Sequence, residues 1–473
     1  MLVIVSDLHF TDETSGETVH SGAFKLFRDA LSDLAYGASW RANGKYKPIE
    51  DLHLVLLGDI LDVIRSTQWL QVNGVQSQVR PWHNPQSQPF VDKVGAITAA
   101  ILQKNRASLA ALKNLNGSVT IPEATETGMP ADVDWKPDGK GRQPVEVHLH
   151  YLVGNHDWFF HLPGPPYDQI RQTIMNAMGL ETPANAPFPH DPSDSATIQQ
   201  IYSDHRVLAR HGDVYDPFNY DGDRNESSLG DAIVVELVDR FAMEVSQKVA
   251  LPAPCVAGLR EIDNLRPTFV IPVWVDSLLK RTCPDTSLQM KVKEVWDGLV
   301  DQLLALDFVH KHHSFFHLFD SVEQLEWGLK FSKGVSKGNL SRLYAWITEK
   351  FATHDSSYYG HAATEEKFKN RKARAIVYGH THVYEMVPLD SLVVSNAFFD
   401  QVYFNSGTWR PYHQLSRVHP EQEEFVKFQL MTYLAFFRGD ERGGRPFETW
   451  SGVLAARPSW RANDGIPNLT RSE

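Results

Sequence analysis

The chain has 473 residues, 42% of them hydrophobic and 22% charged, a globular balance with enough length for a large core. A formal net charge of -12 argues against a protein that coats nucleic acid. It leaves room for a small phosphorylated substrate, because bound metal ions reverse the local sign of a site. Two cysteines, Cys255 and Cys283, match neither a disulfide framework nor a CxxC metal motif. The start, Met1 to Phe10, lacks the basic and long apolar regions of a signal peptide, and no apolar run is long enough to span a membrane. A cytoplasmic protein is the expectation.

Along the chain, short apolar runs end abruptly in polar or glycine residues. Leu2-Val3-Ile4-Val5 ends at Ser6-Asp7, and Leu54-Val55-Leu56-Leu57 ends at Gly58-Asp59. Val145 to Val153 ends at Gly154-Asn155-His156-Asp157, and Val207-Leu208-Ala209 runs toward His211-Gly212-Asp213. Ala375-Ile376-Val377-Tyr378 ends at Gly379-His380, and Val402-Tyr403-Phe404 ends at Asn405-Ser406-Gly407. Each reads as a buried strand followed by a tight turn. Helical patterns lie between them, first over Ala23 to Leu34 and then near 92–113, 230–249, 288–305, 321–332 and 340–352. This alternation predicts an α/β fold with its ligands at the carboxyl ends of the strands. The predicted core is 1–224 with 371–420, interrupted by an insertion at 66–144; residues 225–370 form a helical cap insertion, and 421–473 a C-terminal strand and tail.

The polar strand ends carry the chemistry. Asp7 and His9 are two apart, a spacing that on a strand turns both to one face, and His380 and His382 repeat it. Asp59 follows a glycine that permits a sharp turn, and Asn155 and His211 hold similar positions. Carboxylate, amide oxygen and imidazole together suit Mn, Fe, Zn or Co. A two-metal site needs a shared ligand with ions roughly 3.5–4 Å apart, and Asp59 is the candidate bridge; such a site makes a hydroxide nucleophile near neutral pH.

Asp7-Leu8-His9, Gly58-Asp59, Gly154-Asn155-His156-Asp157, His211-Gly212-Asp213 and Gly379-His380-Thr381-His382 resemble, in order, the five motifs of the calcineurin-like metallophosphoesterase superfamily. The resemblance implies a four-layer α/β/β/α sandwich and two divalent ions, Mn first among the choices. Asp7, His9, Asp59 and His382 would hold one ion, and Asp59, Asn155, His211 and His380 the other. His156 would contact the phosphate and assist the leaving oxygen, with Asp157 orienting it. Gly58-Asp59-Ile60-Leu61-Asp62, with the third and fourth motifs, is similar to the UDP-2,3-diacylglucosamine pyrophosphatase branch, which has a helical lid. The turn Asn405 to Trp409 resembles a closing turn that supports the metal ligands.

The implied activity is hydrolysis of a phosphate ester or pyrophosphate bond in a small or lipid-linked substrate. A nuclease with the same motifs and a non-catalytic metal-binding scaffold are the competing classes. Arg65, Arg410 and Tyr412 follow site-forming turns and are candidates to grip substrate, against a plainer reading as ion pair and packing residues. His148 and His150 share one strand face, which fits packing better than metal binding, and His310, His312, His313 and His317 read as a solvated helix face. Asp221 to Asn225 lacks the glycine and glutamate of a calcium loop.

Overall fold

The computed structural model describes residues 1–131, 140–181, 183, 185–266, 270–313, 358–394, 397–416 and 424–458. The chain is a mixed α/β protein that divides into two compact units. The first comprises Met1–Val235, Asp355–Trp409 and Met431–Ser451; the second comprises Glu236–His354, Arg410–Leu430 and Gly452–Glu473.

In the first unit the apolar runs become strands. Leu2–Val5 is buried at every position and pairs in parallel with Asp51–Leu57, which pairs in parallel with Glu146–Leu152. On its other side Leu2–Val5 pairs antiparallel with Leu434–Phe436, from a strand over Phe425–Phe436 whose earlier half belongs to the second unit. A second sheet is built on Val207–Ala209, Ala375–Tyr378 and Ala397–Asn405, all parallel, with Glu385–Val394 antiparallel at its edge. Leu2, Ile4, Val55 and Leu57 from the first sheet share one buried cluster with Val207, Ala209, Val377, Val402 and Phe404 from the second. Strands facing no water on either side read as continuous apolar runs, so these segments stand out in the sequence.

Among helices, Gly22–Ala38 buries Phe24, Phe27, Leu31 and Leu34, the face expected from their spacing. The 92–113 pattern resolves into Gln88–Lys104 and Arg106–Lys113, and 288–305 into Thr286–Leu304. The helices expected at 321–332 and 340–352, and His317, lie outside the described residues. None of the described helices is long and apolar enough to cross a membrane.

The domain boundaries differ from those expected. The mostly helical unit begins at Glu236, and residues 355–370 cluster with the core. Met431–Phe436 is not part of a separate appendage, because it lies in the first unit and extends its main sheet. Within the second unit, Tyr412–Leu415 pairs with Phe425–Phe428 and with Leu265–Arg266, and Trp274 packs edge-on to Phe425. Cys255 and Cys283 are buried free thiols.

Candidate metal centre

Parallel strands point the same way, so the turns at their carboxyl ends share one edge of a sheet. Asp7, Asp59 and Asn155 follow three neighbouring strands of the first sheet; His211 and His380 follow two neighbouring strands of the second. The topology alone brings together residues separated by hundreds of positions.

The local geometry differs from the strand alternation inferred from Asp-x-His and His-x-His. Leu2–Val5 and Ala375–Tyr378 end before the ligands begin. Asp7, His9, Asp59, His380 and His382 all have left-handed backbones, with φ of 51°, 44°, 54°, 69° and 65°. These are five of the ten non-glycine residues with positive φ among those described. Such a conformation is costly for residues with a Cβ and persists where surrounding contacts force it, as at ligand-binding sites. The glycines ahead of the ligands serve close approach. A Cβ on Gly58 would lie 2.5 Å from His211 Nδ1, one on Gly379 would lie 2.6 Å from Asp7 Oδ2, and one on Gly154 would overlap Asp59 and His211.

Two groups of ligand atoms result. Asp7, His9 and His382 form one; His382 Nε2 is 3.4 Å from Asp7 Oδ1 and 2.9 Å from His9 Nε2. Asp7 Oδ1 is buried and accepts no hydrogen bond. Asp59, His211 and His380 form the other, with Asn155 among them. Asp59 Oδ2 faces both groups, 3.7 Å from His9 Nε2 and 3.2 Å from His211 Nε2.

The tautomers show what these groups require. His211 Nδ1–H donates to the Leu57 carbonyl at 3.0 Å, so in the neutral imidazole Nε2 carries the lone pair. That lone pair faces Asn155 Oδ1 and Asp59 Oδ2, both acceptors, at 3.2 Å. His380 Nε2–H donates to Asp216 at 3.0 Å, and its Nδ1 faces Asn155 Oδ1 at 3.0 Å. Acceptors packed against acceptors repel unless a positive charge lies between them. Ligand atoms about 2.1 Å from a shared ion and at right angles are about 3.0 Å apart, close to the spacings observed. Burial opposes a proton on His211, yet Asp59 and Asp7 outweigh it and lift its pKa well above the usual value. The buried clusters can therefore hold metal ions, and orphaned Asp7 Oδ1 fits that use.

Supporting residues hold the ligands in these tautomers. Asp62 Oδ2 lies 3.5 Å from the Arg65 guanidinium. Asp62 also accepts from His9 Nδ1 at 2.7 Å and from His156 Nδ1 at 2.8 Å. Orientation of His156 therefore falls to Asp62. Asp157 instead accepts from the backbone N–H of Gly154 at 2.6 Å and of Ile60 at 2.9 Å, and from the Tyr151 hydroxyl. Its carboxylate ties two ligand-bearing turns together, and burial with the nearby Asp59 charge pushes its pKa up to about 6. Asn155 Nδ2 donates to Asn219 and Asn219 Nδ2 to Asp216, which turns the Asn155 oxygen toward the histidines. Asp216 and Asn219 escape sequence reasoning because they sit in a loop without periodicity; only their closeness to His211 hints at them. Thr408 donates to the Asp7 carbonyl at 2.6 Å, and Trp409 packs on Phe24 and Phe27.

Arg65 is buried beside Asp62. Arg410 and Tyr412 belong to the second unit, where Arg410 lies 3.4 Å from Asp263 and Tyr412 stacks on Phe428. Ion pairing and packing account for these two. His148 pairs with Glu181, and His150 approaches His53 at 3.2 Å, also without a ligand role.

Compared with protein-family models and with curated proteins, the chain finds no match in either.

Proposed function

We propose that this protein is a dinuclear metal-dependent hydrolase of phosphate esters or pyrophosphate bonds, built on the four-layer sandwich of calcineurin-like metallophosphoesterases. The observation that carries the reading is Asp59 Oδ2, which lies between the two ligand groups as a bridging carboxylate must. Asp7, His9, Asp59 and His382 would hold one ion, and Asp59, Asn155, His211 and His380 the other. When bound, such ions polarise a phosphoryl oxygen and acidify water.

The chain's own residues account for the remaining work. Asp7, His9 and Asp59 are almost completely buried, whereas His156 and the His380 side chain retain 8% and 9% exposure, which marks the side a substrate approaches. His156 Nδ1–H is held by Asp62, so Nε2 is the nitrogen that meets the leaving group. Burial disfavours protonated His156, but the Asp62 and Asp59 charges outweigh it and raise its pKa, which suits a proton donor. Water adds to phosphorus and loses a proton to solvent, the bond to the leaving oxygen breaks, and His156 hands its proton to that oxygen and regains one from solvent.

The test is hydrolysis of bis-p-nitrophenyl phosphate by purified protein supplied with Mn2+. Turnover is expected in the native chain, absent in Asp59→Ala and lowered about 10²-fold or more in His156→Ala. Retained turnover in a folded Asp59→Ala would overturn the mechanism.

A further inference from the structure

We infer that His161, His190 and Asp194 form a separate site for one divalent ion of the zinc type. None of the three belongs to the ligand groups around Asp59. Ligand atoms from all three lie within 4.8 Å of one another, and the two imidazole rings meet edge to face with centroids 4.8 Å apart.

Local structure fixes each ligand. His161 closes the short helical turn Trp158–His161, just after the Asn155-His156-Asp157 turn. Its Nδ1–H donates to the Phe188 carbonyl at 2.7 Å, which leaves Nε2 with the lone pair; an imidazole anchored in this way through one nitrogen is a common ligand arrangement. His190 Nδ1 is buried and makes no hydrogen bond, although Asp194 Oδ2 is 3.1 Å away. Asp194 Oδ2 accepts from the backbone N–H groups of His190 and Asp191, both at 3.1 Å, so the carboxylate is held in place beside His190. The segment is tied to the turn by Phe188 N–H to Phe160 O at 3.0 Å and by Val153 N–H to Pro189 O at 2.8 Å.

The charges permit a cation. Arg210 pairs with Asp191 at 3.2 Å and Arg224 pairs with Asp213, so the nearby guanidinium groups are neutralised and Asp194 is the charge left over. Two imidazoles and one carboxylate favour zinc, nickel or cobalt over magnesium or calcium, and three protein ligands leave a fourth position for water. Occupancy would clamp the Trp158–His161 turn to the 185–194 segment. The inference does not depend on the reaction proposed above.

The probe is Zn2+, titrated into metal-free protein carrying Asp59→Asn and His380→Ala, with a chromophoric chelator as competitor. One class of bound Zn2+ should weaken at least about tenfold when His161→Ala or His190→Ala is added. In the otherwise native chain, loaded with Zn2+ and gel-filtered, His161→Ala should lower the ion count by one; this second measurement serves even if the double variant does not fold. Equal affinity with and without His161→Ala, or equal ion counts in the native background, would overturn the site.

Discussion

Asp62 joins two histidines through one carboxylate, accepting from His9 and from His156. In the proposed mechanism these two would have different tasks, His9 as a ligand and His156 as a proton donor. Asp62→Asn removes the negative charge that keeps both imidazoles in these tautomers. Turnover should fall about 10²-fold or more, within the range attributed to a positioned acid, and bound metal should drop as well. His156→Ala should lower turnover similarly while leaving metal content unchanged. Elemental analysis beside the rate assay separates the two; equal metal loss in both variants would show that Asp62 does not divide its work in this way. Asp157→Ala tests a different role. It leaves the backbone N–H groups of Gly154 and Ile60 and the Tyr151 hydroxyl without their acceptor. At about 1–3 kcal/mol for each buried unpaired group, the variant should show a clear fall in thermal midpoint, and an unchanged midpoint would refute the clamp.

At the level of elements, the strand-to-turn junctions carry the site. Gly154 lies where a methyl group would collide with Asp59 and His211 at once. Gly154→Ala should therefore weaken metal binding strongly in a protein whose far-UV circular dichroism is unchanged; metal affinity equal to the native chain would show that the junction yields. These junctions were legible in the sequence, because strands buried on both faces stand out as apolar runs broken by glycine, as at Leu57-Gly58-Asp59. Their inner geometry was not legible. The Asp7 and His9 spacing suggested strand alternation, whereas left-handed backbones bring the pair together, and no residue pattern announces that for non-glycine residues. The Glu385–Val394 strand also went unseen, since Pro388 and Asp390 interrupt its pattern at a register shift. Asp216 and Asn219 act through side-chain contacts with residues from other segments, a relation that exists only after folding.

Across the whole molecule, cations bound at the proposed centre would make stability depend on them. An ion that binds only the folded chain adds about 2.7 kcal/mol at a hundredfold excess over its Kd. Chelation should lower the thermal midpoint and Mn2+ or Zn2+ should restore it; a midpoint indifferent to chelator in a metal-loaded sample would contradict the centre. Protons act elsewhere, on His53 and His150. Burial holds the pKa of each down to about 4, below the unfolded value of about 6.5. As pH falls below about 6.5 the unfolded chain takes up protons first, so stability is lost progressively toward pH 4. Thermal midpoints of the metal-free chain should fall between pH 7 and 5, less steeply in His150→Gln, and parallel slopes would remove this pair as the cause.

The ligands enter the chain in a fixed sequence, from Asp7 near the start to His382 far along it. During synthesis, Asp7, His9 and Asp59 leave the ribosome long before the His380-Thr381-His382 turn exists. Any cation met early has only a fragment of its eventual cage and exchanges freely with its surroundings. On the proposed ligand set, the choice of the ion that stays would therefore fall after translation has passed His382, when the whole cage first exists.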